Sequence, residues 1–126
     1  MYGMVAGEAV GTGGVAQLRR GVIQYCVMAL VQTAERYGFD LVRELASFEG
    51  MAMSEGTLYP ILSRLRRDGL VQSTWRESPS GPPRRYYRLS DRGSRALAAF
   101  REEWTGFARA VDHLLEGERS DGAADG

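Results

Sequence analysis

Arginine carries the clearest chemistry in this sequence, because the chain has no lysine and only one histidine. Nine arginines lie between Ser54 and Arg95, where the sequence has only four acidic residues. This segment therefore has a net charge of +5 (nine minus four) within a chain that is neutral as a whole. The guanidinium group is a planar donor that pairs with phosphate through two hydrogen bonds. The segment predicts a surface for a polyanion, and an ordinary solvent-exposed face is the alternative.

Residues of the kind that catalyse reactions or bind metals are not grouped in the sequence. His113 is the only histidine, and no serine or cysteine nucleophile forms a plausible constellation with it and Asp112. Cys26 is the only cysteine and lies in an apolar run, so we expect a buried thiol and no disulfide within one chain. We therefore predict no enzymatic activity, no cofactor and no metal site.

Three helices are expected to position the arginines. Residues 16–35 are apolar nearly all round, which predicts a central, buried helix, and residues 39–48 predict a shorter helix that Gly50 ends. Ser54 is a good N-cap for a third helix, which Gly69 closes. The polar face of that helix collects Thr57, Arg64 and Arg67, with Arg66 at its flank. The third helix is therefore the one expected to face an anionic partner.

A β-hairpin is predicted after the third helix. Residues 71–77 and 84–89 alternate between two faces, and residues 78–83 between them are turn formers throughout. By this alternation Tyr87 is expected to pack inward, whereas Tyr86 is left for a phosphate contact. Three helices followed by a hairpin is the order of a winged helix-turn-helix, in which the helix before the wing enters the major groove of DNA.

The C-terminal helix is predicted to begin after the N-cap Ser90 and to carry a coiled-coil seam. Six apolar residues have alternating spacings of three and four, namely Leu97, Phe100, Trp104, Phe107, Val111 and Leu114. Because one chain offers little to cover them, we expect a homodimer along this seam. Phe100 and Trp104 also fit a pocket for a small aromatic or drug-like effector, since aromatic faces stack on planar ligands, and the core of the seam is the alternative.

The expected fold class is mainly α with a small β-hairpin wing. Residues 1–15 predict a flexible glycine-rich arm, residues 16–89 a winged helix-turn-helix, residues 90–116 the dimerisation helix, and residues 117–126 a disordered acidic tail. The longest apolar stretch is well short of a membrane span, and the Arg19-Arg20 pair lacks the apolar segment of an export signal. We therefore expect a cytoplasmic protein without a membrane partner.

Five segments of the chain, in this order and spacing, resemble the successive motifs of the PadR family. They are Leu18-Arg19-Arg20-Gly21, Tyr37-Gly38-Phe39-Asp40-Leu41, Ser54-Glu55-Gly56-Thr57-Leu58-Tyr59-Pro60, Asp68-Gly69-Leu70-Val71 and Gly81-Pro82-Pro83-Arg84-Arg85-Tyr86-Tyr87-Arg88-Leu89. The third and fifth segments together are the most specific, and the resemblance covers roughly residues 16–116.

The resemblance implies a transcriptional repressor that binds promoter double-stranded DNA as a homodimer, with one C-terminal helix per chain. It implies DNA contacts from Ser54, Thr57 and Tyr59 in the third helix, from Arg84 and Arg85 in the wing, and from Tyr37 to the DNA backbone. For some members it also implies release from DNA when a planar aromatic or drug-like compound binds between the subunits, beside Trp104. A winged-helix module that binds another protein instead of DNA is the alternative function.

Overall fold

The computed structural model describes the backbone of residues 3–125 and the side chains of residues 14–117. Its elements follow one another as α1 (Gly3–Thr33), β1 (Arg36–Tyr37), α2 (Gly38–Ala46), α3 (Glu55–Arg67), β2 (Val71–Ser78), β3 (Gly81–Leu89) and α4 (Asp91–Asp125). Three helices precede a hairpin and one helix follows it, which is the predicted winged helix-turn-helix order. The fold class is therefore mainly α with a small β-hairpin wing, as predicted.

The outer ends of α1 and α4 extend beyond the predicted boundaries. The backbone of residues 3–15, the greater part of the predicted arm, continues α1, because adding residues to an existing helix costs far less than starting one. Likewise α4 continues through the predicted tail to Asp125. The side chains of residues 1–13 and 118–126 lie outside the described residues, so the mobility of arm and tail stays a prediction. No helix in the described part is both long enough and apolar enough to cross a bilayer.

The hydrophobic core joins α1, α2 and α3 to the sheet. Met28 of α1, Leu41 of α2 and Leu62 of α3 are fully shielded from solvent, and Tyr87 closes the core from β3. Each aliphatic side chain buried in this way contributes about 1.5–3 kcal/mol. Cys26 packs beside the core, where burial raises the pKa of its thiol. The core therefore fixes one face of α3 and leaves its other face in solvent.

The three strands form one antiparallel sheet in the order β1-β3-β2. Within the hairpin, Arg76 lies opposite Arg84. β1 is a strand that the sequence pattern does not predict, since two residues are too few to show an alternation. It pairs Tyr37 with Tyr86, and because α2 follows directly, this pairing holds the start of α2 against the wing.

The turn of the hairpin is shorter than the predicted segment 78–83. β2 extends through Ser78, and β3 begins at Gly81, which lies opposite Ser78. Pro82 and Pro83 are therefore part of β3, although proline cannot donate a hydrogen bond to a sheet. They are tolerated because β1 pairs only farther along β3 and because the ladder is irregular next to Ser78.

Ser90 joins the wing to α4. Its hydroxyl accepts a hydrogen bond from the backbone N–H of Gly93 at 2.9 Å and donates one to the carbonyl oxygen of Gly69 at 2.6 Å. The backbone N–H of Ser90 also donates to the carbonyl oxygen of Leu70 at 3.1 Å. This close approach requires glycine at position 93, where a Cβ would overlap the Leu70 carbonyl group. Ser90 is therefore confirmed as the N-cap of α4. Gly93 has a low helix propensity, and its presence in the first turn is explained by this packing against Leu70.

The first turns of α4 pack on α1. The Gln32 amide donates to Ser94 Oγ at 3.2 Å, and Arg101 donates to the Gln32 amide oxygen at 3.1 Å. Leu97, which lies between these two contacts along α4, is only 2% exposed and belongs to the core. The structure therefore corrects the assignment of Leu97 to an intermolecular seam, because this side chain already fills the interior of one chain.

Candidate nucleic-acid interface

The first turn of α3 presents small polar side chains to solvent. Ser54 Oγ accepts a hydrogen bond from the backbone N–H of Thr57 at 3.2 Å, and the two hydroxyl oxygens are also 3.2 Å apart. The predicted N-cap is thus confirmed. Both side chains are exposed, because the buried face of α3 is formed by other residues, namely Leu58, Ile61, Leu62 and Leu65. This exposed helix start offers polar groups and the positive end of a helix dipole to a ligand.

The last turn of α3 is basic. Arg64, Arg66 and Arg67 lie there, and all three are exposed. None of them pairs with a carboxylate among the side chains that the structure describes. These three guanidinium groups are therefore not held in ion pairs within the described part of the chain, which suits an anionic partner.

One face of the wing gathers Tyr37, Arg84 and Tyr86. The ring centroids of Tyr37 and Tyr86 are 5.6 Å apart, and Cζ of Arg84 lies 4.5 Å from the Tyr37 centroid. On the neighbouring strand, Cζ of Arg76 lies 4.8 Å from the Tyr86 centroid, and its guanidinium forms an ion pair with Glu35. The structure thus brings together three predicted contact residues in one aromatic and cationic cluster, with Tyr86 partly covered by it.

The opposite face of the wing carries Arg85. Its Cζ lies 4.6 Å from the ring centroid of Trp75, which is its partner in the register, and Nη1 donates to Ser73 Oγ at 2.7 Å. Tyr87, which follows Arg85 by two residues on β3 and so shares its face, is buried as the alternation predicts. Because consecutive strand residues point to opposite faces, Arg84 and Arg85 do not share a surface. The wing presents one predicted arginine contact to each side.

Sequence reasoning did not select Trp75 or Arg76. Trp75 lies on the same face of β2 as the buried Val71, so the alternation predicts that it packs inward. The strand continues past the core, however, and leaves the indole 62% exposed. Arg76 stands opposite Arg84, whereas the predicted turn of residues 78–83 places position 77 there. This difference arises from the shorter turn together with the irregular register next to Ser78, which no residue pattern indicates.

Tyr59 lies at the junction of α2 and α3. Its ring packs so closely on Gly38 that a Cβ at position 38 would lie 2.5 Å from ring atoms. Burial raises the pKa of Tyr59, and the carboxylate of Glu55 one turn earlier raises it further, so the phenol stays a neutral donor. The side chain is nevertheless 39% exposed. One edge of the Tyr59 ring therefore packs on Gly38 at the start of α2, and the rest of the side chain is exposed to solvent.

The later turns of α4 leave a stripe of apolar side chains toward solvent. The stripe consists of Phe100, Trp104, Phe107, Val111 and Leu114. Phe100 is partly covered by Tyr25, whose ring stacks on it with centroids 3.9 Å apart. Trp104, Phe107 and Leu114 are 45%, 63% and 77% exposed, whereas Val111 between the last two is partly buried. These five residues, without Leu97, are what remains of the predicted seam.

Phe100 and Trp104 are the residues predicted to line an effector pocket. Their ring centroids are 6.1 Å apart with 21° between the planes, so with Tyr25 they form a continuous aromatic stack. In a single chain this stack is open to solvent at Trp104. Only a second subunit lying over it would close a pocket, so the pocket stays a prediction.

The described residues offer no grouping of metal ligands. No three His, Cys, Asp or Glu side chains among them lie close enough together to hold an ion. His113 and Asp112 are both exposed on α4. The described residues therefore give no support for a metal site.

The chain matches the model of the transcriptional regulator PadR-like family over residues 27–99. It is 36% identical over 95 residues to a transcriptional regulator of Mycobacterium tuberculosis, covering 75% of this chain and 87% of that relative. The crystal structure of a PadR family transcriptional regulator from Eggerthella lenta is 35% identical, covers 89% of this chain and 97% of its own, and has a TM-score of 0.78. A PadR-like transcriptional regulator from Bacillus cereus is similar at 32% identity, with 79% and 97% covered and a TM-score of 0.73. The chain therefore belongs to the PadR-like family of transcriptional regulators, which is not a family of enzymes.

Proposed function

We propose that this regulator is a cytoplasmic repressor that binds promoter double-stranded DNA as a homodimer through α3 and the wing. One observation carries the proposal: the arginines of the last turn of α3 and of β3 have no carboxylate partners among the described side chains. Duplex DNA carries a negative charge about every 1.7 Å along its axis, and neutralising these charges releases counterions. An arginine surface left unpaired by the protein gains most from such a partner.

In this proposal α3 lies in the major groove. Ser54, Thr57 and Tyr59 are exposed along its first two turns and face the base edges. Arg64 and Arg67, in its last turn, contact phosphates. The core fixes the opposite face of the helix, so these side chains are held by a rigid element, which favours a defined position on the duplex.

The wing contacts the DNA backbone beside the groove that α3 occupies. Arg84, with Tyr37 and Tyr86, supplies phosphate contacts from one face, and Arg85 supplies them from the other. The Tyr37 ring under Arg84 supports this role, because the contact favours one orientation of the guanidinium before DNA binds.

A homodimer lets two such modules read two half-sites, which one small module needs for specificity. The apolar stripe of α4 supports this part of the proposal, because large aromatic side chains left in water gain free energy when a second copy covers them. An aromatic effector bound at Phe100 and Trp104, between the subunits, would change the spacing of the two modules and release the DNA.

The test is the salt dependence of duplex binding, measured by fluorescence anisotropy with a labelled fragment of the protein's own promoter. The logarithm of affinity is expected to fall linearly with the logarithm of salt concentration. Arg84→Ala and Arg85→Ala should each reduce the slope by about 0.9, the value for one lost phosphate contact. Arg109→Ala is the matched control, since it removes the same charge from an exposed position on α4 and should leave the slope unchanged.

Absence of duplex binding at low salt would contradict the proposal and favour a winged-helix module that binds another protein. Binding with an unchanged slope in both wing variants would remove the wing from the mechanism. A reporter gene under the same promoter tests repression, and expression that does not rise when the regulator is deleted argues against it.

A further inference from the structure

Trp75 is an ordered aromatic side chain near the end of the wing that no role described above uses. The indole is 62% exposed, and Cζ of Arg85 lies 4.6 Å from its centroid, a contact that favours this orientation by about 0.5–1 kcal/mol. Arg85 is itself held by its hydrogen bond to Ser73 Oγ at 2.7 Å. The wing therefore carries a plate, formed by the Trp75 indole and the Arg85 guanidinium, whose observed orientation is favoured before any ligand binds.

The plate lies on the same side of the sheet as α3. Tyr87 follows Arg85 by two residues on β3 and points to the same face, where it joins the core with Leu62 and Leu65 of α3. Burial raises the pKa of Tyr87, and the guanidinium groups of Arg85 and Arg66 oppose that shift. Arg66 is the exposed neighbour of the buried Leu65, so this side of the molecule, here called the strip, carries positive charge both on α3 and at the plate.

We propose that Trp75 is a DNA-contacting residue whose indole packs against a deoxyribose of the duplex next to the phosphate that Arg85 contacts. The proposal rests on the proposed function and adds an apolar contact to it. The arginines at the two ends of the strip, Arg66 and Arg85, have no carboxylate partners among the described side chains, and this charge complements the phosphates of the duplex in the proposed function. Contacts to sugar and phosphate do not depend on base sequence, so Trp75 contributes affinity rather than specificity.

Removing the indole should therefore weaken binding to every sequence by a similar factor. Trp75→Ala is expected to raise the dissociation constant about tenfold, the size of a moderate aromatic contact at an interface. The salt slope should stay as it is, because an indole carries no charge, whereas Arg85→Ala lowers the slope. Gln72→Ala is the matched control, since Gln72 is exposed on the same strand but on the other face.

Tryptophan fluorescence gives a second readout that reports contact directly. The chain has two tryptophans, so Trp104→Phe leaves Trp75 as the only emitter and Trp75→Phe leaves Trp104. Saturating duplex should shift the emission of Trp75 and protect it from quenching by acrylamide. The same duplex should have a much smaller effect on Trp104, which lies on α4.

The outcomes separate the two proposals. If wild-type protein binds duplex while Trp75→Ala keeps full affinity and Trp75 stays open to acrylamide, the role of Trp75 is overturned and the proposed function stands. If Trp75→Ala lowers the salt slope and Trp75 is not shielded, the residue only orients Arg85, and the contact is again overturned. If no duplex binds at low salt, both proposals fail together. Tenfold weaker binding at an unchanged slope, together with shielding, supports the contact.

Discussion

Replacement of Gly93 by alanine tests how α4 is joined to the wing. A Cβ at this position would lie 2.6 Å from Cδ1 of Leu89 and 3.0 Å from the carbonyl carbon of Leu70, and closer still to the Leu70 oxygen. Ordinary contacts between carbon atoms are about 3.5–4.0 Å, so the first turn of α4 must move by about 1 Å. Leu70 is held by its hydrogen bond to Ser90, so the backbone on that side resists the movement.

The expected cost follows from three contributions. Overpacking of a fitted contact costs about 1–3 kcal/mol. Movement of the helix start also strains the hydrogen bond from Gly93 to the Ser90 hydroxyl, and loss of an N-cap costs about 1 kcal/mol. Alanine in place of glycine in a helix returns up to about 1 kcal/mol. We therefore expect Gly93→Ala to lower the free energy of unfolding by about 1–3 kcal/mol.

The assay is thermal unfolding followed by circular dichroism, at one protein concentration because a dimer links stability to concentration. For a chain of this length the loss corresponds to a fall in Tm of about 4 °C per kcal/mol. Gly106→Ala is the matched control, because it lies in the same helix with nothing within 4 Å of the added Cβ, and it should raise stability by about 0.5–1 kcal/mol. A Gly93→Ala protein as stable as Gly106→Ala would refute the close approach at Leu70.

The remaining predictions concern the seam, the cap of α3 and the response to alkaline pH. Phe107→Glu should give monomers in sedimentation velocity without unfolding the chain, since this side chain is 63% exposed, and a persistent dimer would argue against the α4 stripe. Ser54→Ala should lower stability in urea by about 1 kcal/mol because Thr57 loses its hydrogen-bond acceptor, and an unchanged midpoint would mean that water replaces the cap. Burial raises the pKa of Tyr87 in the folded protein above its ordinary value of 10.0. The neutral phenol therefore contributes its full stability below pH 10.0, and this contribution is lost as the pH rises through the raised pKa of the folded state. Tyr87→Phe should show a shallower loss of stability above that pH in urea titrations, and identical curves would contradict this origin of the loss.

Local signals in the sequence were sufficient for the elements that position the candidate site. Ser54 as a cap and Gly69 after the last turn bound α3 closely, because capping depends on residues within one turn. Gly69 adopts a positive φ of 77°, which suits glycine. The alternation that sends Tyr87 inward was also sufficient, since every second residue of a strand shares a face.

Features that depend on distant parts of the chain could not be predicted in this way. Leu97 fits a seven-residue repeat, but whether a repeat faces its own chain or a second copy depends on how the other elements pack, and Leu97 is buried in the core of its own chain. The strand at Arg36 and Tyr37 exists only because β3 lies beside it. The register of the hairpin likewise depends on an irregularity next to Ser78 that does not follow from turn propensity.

The split of Arg84 and Arg85 between two faces bears on how a wing can bind DNA at all. A two-stranded ribbon that lies flat on a duplex uses one face, so one of the two arginines would then point to solvent. A ribbon whose end enters a groove has a phosphate backbone on each side, and cations on both faces are then useful. Each face places its arginine on an aromatic ring, Arg84 on Tyr37 and Arg85 on Trp75, an attraction of about 0.5–1 kcal/mol at an exposed site. If the wing binds DNA as proposed, these two arginines on opposite faces favour insertion of the wing over flat docking, and equal losses of salt slope in the two arginine variants would be its signature.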